Sequence, residues 1–263
     1  MCTVIGWQLA AADEVGIAGA GPRSGLVRWR LDQYGHRLWA THDAGAHWRQ
    51  LSLPGGISAL AASAGIAYAL AGGKLYRSRA GTNTWTRAGA VTGDSLAVFG
   101  KSAWAGTTTY LWATSDGAHW HKYRFRCARP SPYDLVSIAA ASASHVYFLC
   151  AGNGAAGSIG KELMRSVNGG RSEQLAGHPP FGGSNPMLIA VPPHHGQSIL
   201  VAASFRLYRT TDGGKIWRTV ISYRNTGVWT YLAYRSAETG WAADGARLLR
   251  TTNQGRTWHA VRF

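Results

Sequence analysis

The sequence predicts an all-β chain folded as a six-bladed β-propeller, with four antiparallel strands per blade, on three observations. Six copies of a short turn motif begin at residues 41, 78, 114, 166, 210 and 251. Their spacings of 37, 36, 52, 44 and 41 residues lie near the length of one four-stranded blade. A short strand-like run precedes every copy, and together the repeats use nearly all of the 263 residues. One closed domain over residues 1–263 is therefore expected.

Blade one is read as residues 4–53, with strands near 7–10 and 15–18 and an insertion at 19–36 ahead of the first turn. The runs before the six turns are 37–40, 74–77, 110–113, 162–165, 206–209 and 247–250, each apolar or alternating as a strand is. The motif then reverses the chain. Its third residue is Asp43, Asp116, Asn168, Asp212 or Asn253 in five of the copies, a short side chain that accepts N–H bonds within a turn, while glycine supplies the positive φ. Trp48, Trp85, Trp120, Trp217 and Trp258 close the turn and open the next strand, where a large ring can bury against a neighbouring sheet. The last blade is read as residues 231–263. All four strands of each blade follow in sequence order, which leaves ring closure to packing between the first and last blades.

On these residues the chain resembles the Asp-box, or bacterial neuraminidase repeat, family of sialidase-like propellers, whose pattern is Ser/Thr-x-Asp-x-Gly-x-Thr-Trp. The copies at 41, 210 and 251 follow it closely; Ala80 replaces the acid in the second, the third is one residue short, and the fourth ends in Glu173. The resemblance covers residues 41–258. It implies box turns between the third and fourth strands of each blade, away from the ligand-binding face, so that the box residues hold turns and leave ligand to the opposite loops. In blade style, with second strands read at Gly16, Ile17 and at Gly240, Trp241, the chain is similar to non-catalytic photosystem II assembly factor-like propellers. The family's habit implies an extracellular or cell-surface bacterial protein acting as a platform, and a monomer is expected.

Charge is the second informative feature. Lysine and arginine total 27 against 12 acids, a formal +15, which favours polyanionic partners: acidic polysaccharide, teichoic acid, nucleic acid or anionic lipid headgroups. A protein partner, with the charge purely compositional, is the other reading. No run of 18 apolar residues is present, so no transmembrane segment is expected, and no signal peptide is visible in the given chain. Cys2 reads either as a lipid-attachment residue or as incidental. Cys127 and Cys150 fall near the join of the third and fourth blades and could pair in an oxidising compartment, leaving Cys2 free; a small buried strand residue is the alternative for Cys150.

Three segments are expected on the ligand face. The insertion at 19–36 carries Arg23, Arg28, Trp29, Arg30 and Tyr34; the link at 122–133 carries Arg124, Arg126, Arg129 and Tyr133 with cations and aromatics alternating; the Gly-rich loop at 151–161 ends in Lys161. A shorter link adds Arg224 and Trp229. Arginine beside aromatic rings can combine ion pairing with stacking on a sugar or base. No cofactor is expected: the Gly-rich loop lacks the Lys-Ser/Thr of a phosphate-binding loop. No metal is expected either, since His194 and His195 are adjacent and would point to opposite faces of a strand.

Whether the chain is an enzyme is left open. A sialidase would need an arginine on the first strand, read here as residues 4–9 without one, and paired carboxylates; the acids outside the boxes include Glu173 at a box position and Glu14, Glu238 and Asp244 at expected turns. A lyase on uronic-acid polymers would need arginine for the carboxylate and a histidine or tyrosine to move the proton, for which Tyr133, His36 and His178 are available.

Overall fold

A computed structural model describes residues 14–19, 25–30, 36–42, 47, 49–63, 65–79, 82–127, 133–152, 159–182, 187–223, 229–244 and 247–261. Every regular element among them is a strand. β1 (Glu14–Gly19), β2 (Gly25–Arg30), β3 (His36–Thr41) and β4 (Arg49–Leu51) form the first sheet. β5 (Ile57–Ser63), β6 (Ile66–Ala71), β7 (Lys74–Arg79) and β8 (Thr86–Arg87) form the second. β9 (Ser95–Phe99), β10 (Ser102–Gly106), β11 (Tyr110–Thr114) and β12 (His121–Arg124) follow. Next come β13 (Asp134–Ala140), β14 (Val146–Ala151), β15 (Lys161–Ser166) and β16 (Gln174–Gly177). β17 (Met187–Ala190), β18 (Ile199–Ala203), β19 (Arg206–Thr210) and β20 (Arg218–Ser222) make the fifth sheet. The last holds β21 (Tyr231–Tyr234), β22 (Gly240–Ala243), β23 (Leu248–Thr251) and β24 (His259–Ala260). Strand order equals sequence order in each, as expected.

Five four-stranded blades, β5–β24, are present where the sequence predicted six, and ahead of them β1–β4 form a further four-stranded sheet. That first sheet corrects the reading of residues 19–36. Among the described ones, Gly25–Arg30 is a central strand and not part of an insertion, with Trp29 opposite Val15 on β1 and Arg37 on β3. The alternation of Leu26, Val27, Arg28, Trp29 and Arg30 is strand-like, and its two arginines had suggested a loop. Glu14, Gly16 and Ile17 accordingly belong to the first strand rather than to a turn or a second strand. Residues 7–10 lie outside the described part of the chain.

The chain divides into two compact units, Met1–Gly106 with Trp112–Lys122 and Phe263, and Thr107–Leu111 with Tyr123–Arg262. Burial within the sheets follows strand position. The second strands β10, β14 and β18 are buried at every residue, and β6 at all but its first, because apolar side chains are covered on both faces. The fourth strands are mostly exposed. In the first unit Tyr68, Leu70, Leu75, Ala103 and Ala105 form a core with Trp120 against it. In the second, Tyr147, Leu149, Leu163, Val201 and Tyr208 do so with Trp217, and Leu200, Leu207, Trp229 and Leu249 with Trp258.

Every box joins a third strand to a fourth. In the box at 210, Thr210 Oγ1 donates to Asp212 Oδ1 (2.6 Å) and accepts the N–H of Gly214 (3.1 Å), while Asp212 Oδ1 accepts the N–H groups of Lys215 (2.9 Å) and Ile216 (3.0 Å). Those bonds, Thr210's first of all, hold the Asp212 carboxyl below its ordinary range. Asparagine works equally well: Asn253 accepts the Thr257 N–H (2.9 Å) and donates to Thr257 Oγ1 (2.7 Å), and Asn168 does the same with Ser172. In the shortened copy Thr114 accepts from Gly117 (2.9 Å), three residues on instead of four, and Asp116 takes up His119 Nδ1 (2.7 Å) as well as two N–H groups. The copy with Ala80 relies on Thr82, whose hydroxyl donates to the Arg79 carbonyl (2.9 Å). Asp43 and Trp48 lie outside the described residues.

Two box tryptophans cap their own turns, Trp217 Nε1 donating to the Gly214 carbonyl (2.9 Å) and Trp258 Nε1 to that of Gly255 (3.1 Å), whereas the Nε1 atoms of Trp85 and Trp120 are buried without a partner. Their rings pack on the preceding sheet, as Trp120 does edge-on against Tyr68 at 5.9 Å. Trp85 is half-buried against the core of Leu38, Ile57 and Ala67. Arginines of the third strands reach the following box: Arg77 donates to the Gly117 carbonyl (2.9 Å) and Arg209 to that of Gln254 (2.7 Å). The recurring Leu-x-Arg in the strand before the turn was visible in the sequence, but its partner, one repeat further on, was not.

Candidate binding site

In a sheet whose four antiparallel strands follow sequence order, the box turn and the first hairpin share one end, and the second hairpin opens at the other. The second unit carries the best-described set of these opposite-end segments: the link after β12, the hairpins β14–β15, β18–β19 and β22–β23, and the links β16–β17 and β20–β21.

Along the link after β12 the predicted alternation of cations and aromatics proves to be that of an edge strand. Arg124 and Arg126 are exposed, whereas Phe125 turns inward and packs on Phe148 with ring centroids 4.9 Å apart. The two residue types therefore do not share a surface there. Two long-range ties fix this link. Cys127 and Cys150 form a disulfide, as the sequence allowed. Glu173, where a box tryptophan would stand, accepts the Arg126 N–H (3.2 Å); burial pushes its carboxyl above the ordinary range, and that bond works against the shift.

Tyr133 is half-buried at the start of β13, seated on the base of the β14–β15 hairpin. A Cβ on Gly152 or on Gly160 would collide with its ring or hydroxyl, so bare backbone is required at both positions. Lys161, expected as a loop cation, is only 2 % exposed. Its ammonium donates to the carbonyls of Ile159 and Pro180, both at 3.0 Å, and of Gly182. Burial first, and the Arg206 charge second, push it down to about 8. Trp229, also expected on the rim, is fully buried in the core with Leu200 and Leu249.

Beside Trp229 the β22–β23 turn holds a compensated cation. Asp244 accepts the Arg247 N–H (2.8 Å), Nε (3.1 Å) and Nη2 (2.8 Å), and the guanidinium lies 4.1 Å over the Tyr223 ring. Asp244 is thus at a turn, as expected, and occupied. Arg28, Trp29 and Arg30 lie on β2, and Arg23, Tyr34, Arg129 and Arg224 outside the described residues. Sequence reasoning missed Phe181 and Arg206, both exposed on this end. Phe181 stands between two prolines and glycines, a place where a burial role is hard to assign and an aromatic is therefore worth noticing.

No group of three or more histidine, cysteine or acidic side chains suited to a metal occurs among the described residues. Among them, too, no helix is long and apolar enough to cross a membrane.

No protein-family model matches the chain, and no curated protein does either. Solved structures do. YCF48 from Cyanidioschyzon merolae is similar over 90 % of this chain and 81 % of its own, at 15 % identity and a TM-score of 0.59. Virginiamycin B lyase from Staphylococcus aureus is similar over 96 % and 85 %, at 12 % identity and 0.59. The fold is a β-propeller. The extracellular domain of a two-component system from B. thetaiotaomicron matches 97 % of this chain but only 34 % of that longer one, at 14 % identity and 0.60. At these identities the likeness speaks for the fold alone.

Proposed function

We propose that residues 1–263 form a single six-bladed propeller of the Asp-box type, acting outside a bacterial cell or on its surface as a non-catalytic binding platform for an acidic glycan. The observation that carries this reading is the set of exposed arginines Arg124, Arg126 and Arg206 at the end away from the boxes, in a chain of formal charge +15. The acids nearby in sequence are in part engaged: Asp244 holds Arg247, and Glu162 is buried. A buried disulfide suits an oxidising compartment. Arg129 and Arg224 extend the contact surface in this reading, and the monomer suffices for it.

Purified protein is tested against acidic and neutral polysaccharides, nucleic acid and anionic vesicles, at low and high salt, with product release followed in the same wells. Acidic glycan is expected to bind, and to release as salt rises. Changing Arg124, Arg126 and Arg129 together to Ser is expected to weaken it by roughly 10-fold or more, three ion pairs being lost. Unchanged affinity would refute this surface. Release of an unsaturated product would replace the platform by a lyase, with Tyr133 and His178 as the first residues to vary.

A further inference from the structure

Five elements of the second unit meet at one corner: the start of β13, the base of the β14–β15 hairpin, the start of β15, the β16–β17 link and the start of β19. The hairpin base is closed by the Gly152 N–H donating to the Gly160 carbonyl (3.1 Å), and Tyr133 covers it. Phe181 flanks the same glycine, its Cε2 3.6 Å from where a Gly160 Cβ would stand. Yet the Phe181 side chain is 70 % exposed, the most of any large apolar residue among those described.

The support under that ring is unusually firm. Lys161 ties the Ile159 carbonyl of the hairpin to the carbonyls of Pro180 and Gly182, the residues on either side of Phe181. Pro179 and Pro180 further restrict the approach. Rigid presentation of an exposed aromatic lowers the ordering cost of binding. Arg206 lies alongside, its Nη1 3.5 Å from the Cβ position of Gly182, and it takes part in none of the ion pairs among the described residues. An aromatic face accepts the C–H face of a pyranose, and a guanidinium pairs a carboxylate through two parallel N–H bonds.

We propose that this corner is a subsite for one carboxyl-bearing sugar of an acidic glycan, with Phe181 as the stacking platform and Arg206 as the carboxylate clamp. It rests on the acidic-glycan reading above and names the sugar class and the residues that take it. Sulfate- or phosphate-bearing polymers would pair with Arg206 through the same charge, so the probe must vary the carboxyl group itself.

The test measures calorimetric affinity of the full chain for oligogalacturonate, for its methyl ester and for a single-stranded oligonucleotide. Phe181→Ala and Arg206→Gln are each expected to weaken oligogalacturonate by about 10-fold, and Phe181→Trp to restore it. The Phe181→Ala deficit should persist at high salt, while the Arg206→Gln deficit shrinks. The ester should bind the wild type as weakly as the acid binds Arg206→Gln. Both side chains are exposed, so melting temperatures should match the wild type. If the wild type binds the acid and neither variant weakens it, the subsite is wrong while the platform stands. If the oligonucleotide binds and no acidic glycan does, or if nothing binds, both fail.

Discussion

The two ends of the second unit are held by different means. At the box end the same local bonds recur in each turn: a Ser or Thr hydroxyl to an Asx side chain, that side chain to N–H groups three or four residues on, and the hydroxyl to a glycine N–H. At the opposite end the ties differ from one another, and the strongest join residues far apart in sequence: the Cys127–Cys150 disulfide, and Lys161 on Pro180 and Gly182. Repetition gives the box end redundancy, so one damaged turn leaves the others intact. The opposite end has none, and there a single substitution should be felt more strongly.

The largest effect should come from the disulfide. Replacing Cys127 and Cys150 together by Ala should cost about 3 kcal/mol, read as a lower urea midpoint, and reductant should destabilise the wild type alone. Next is Lys161. Its pKa of about 8 in the fold lies below the ordinary value of 10.5, so the unfolded chain binds more protons between those values. The stability of the wild type relative to Lys161→Met should therefore rise as pH climbs from 8 towards 10, by on the order of 2 kcal/mol, the buried tyrosines affecting both proteins alike. A difference that falls instead would show that the three carbonyls favour the charged form more than burial penalises it. Smallest is a single box: Thr251→Val removes a fully buried hydroxyl from Asn253 and Gly255 and should cost about 1 kcal/mol by the same urea measurement. Were it to cost as much as the disulfide, the box end would be cooperative instead of redundant.

The same contrast governs what was legible in the sequence. A box is written in eight consecutive residues, so its position between third and fourth strands, its Asx contacts and its tryptophan packing could all be anticipated. Even the defective copies were readable, because Glu173 and Ala80 stand out against a pattern. Burial at the other end depends on what arrives from elsewhere in the chain. Lys161 and Trp229 looked like rim residues because nothing local shows the carbonyls that surround the one or the leucines that surround the other. Arginine content misled at β2, which was taken for part of a loop, and alternation misled at the link after β12, which was taken for a mixed basic and aromatic surface. At that link the inward and outward sides of the chain had been read as one face.

Each sheet consists of four strands that follow one another along the chain. Nothing within a sheet waits for a distant segment, and during synthesis a blade can close its hydrogen-bond ladder before the next one leaves the ribosome. What remains exposed on the nascent chain is then the face that the following blade will cover, one blade's worth at a time. For a chain with so much two-sided apolar strand, that order of emergence limits how much sticky surface is ever on show at once.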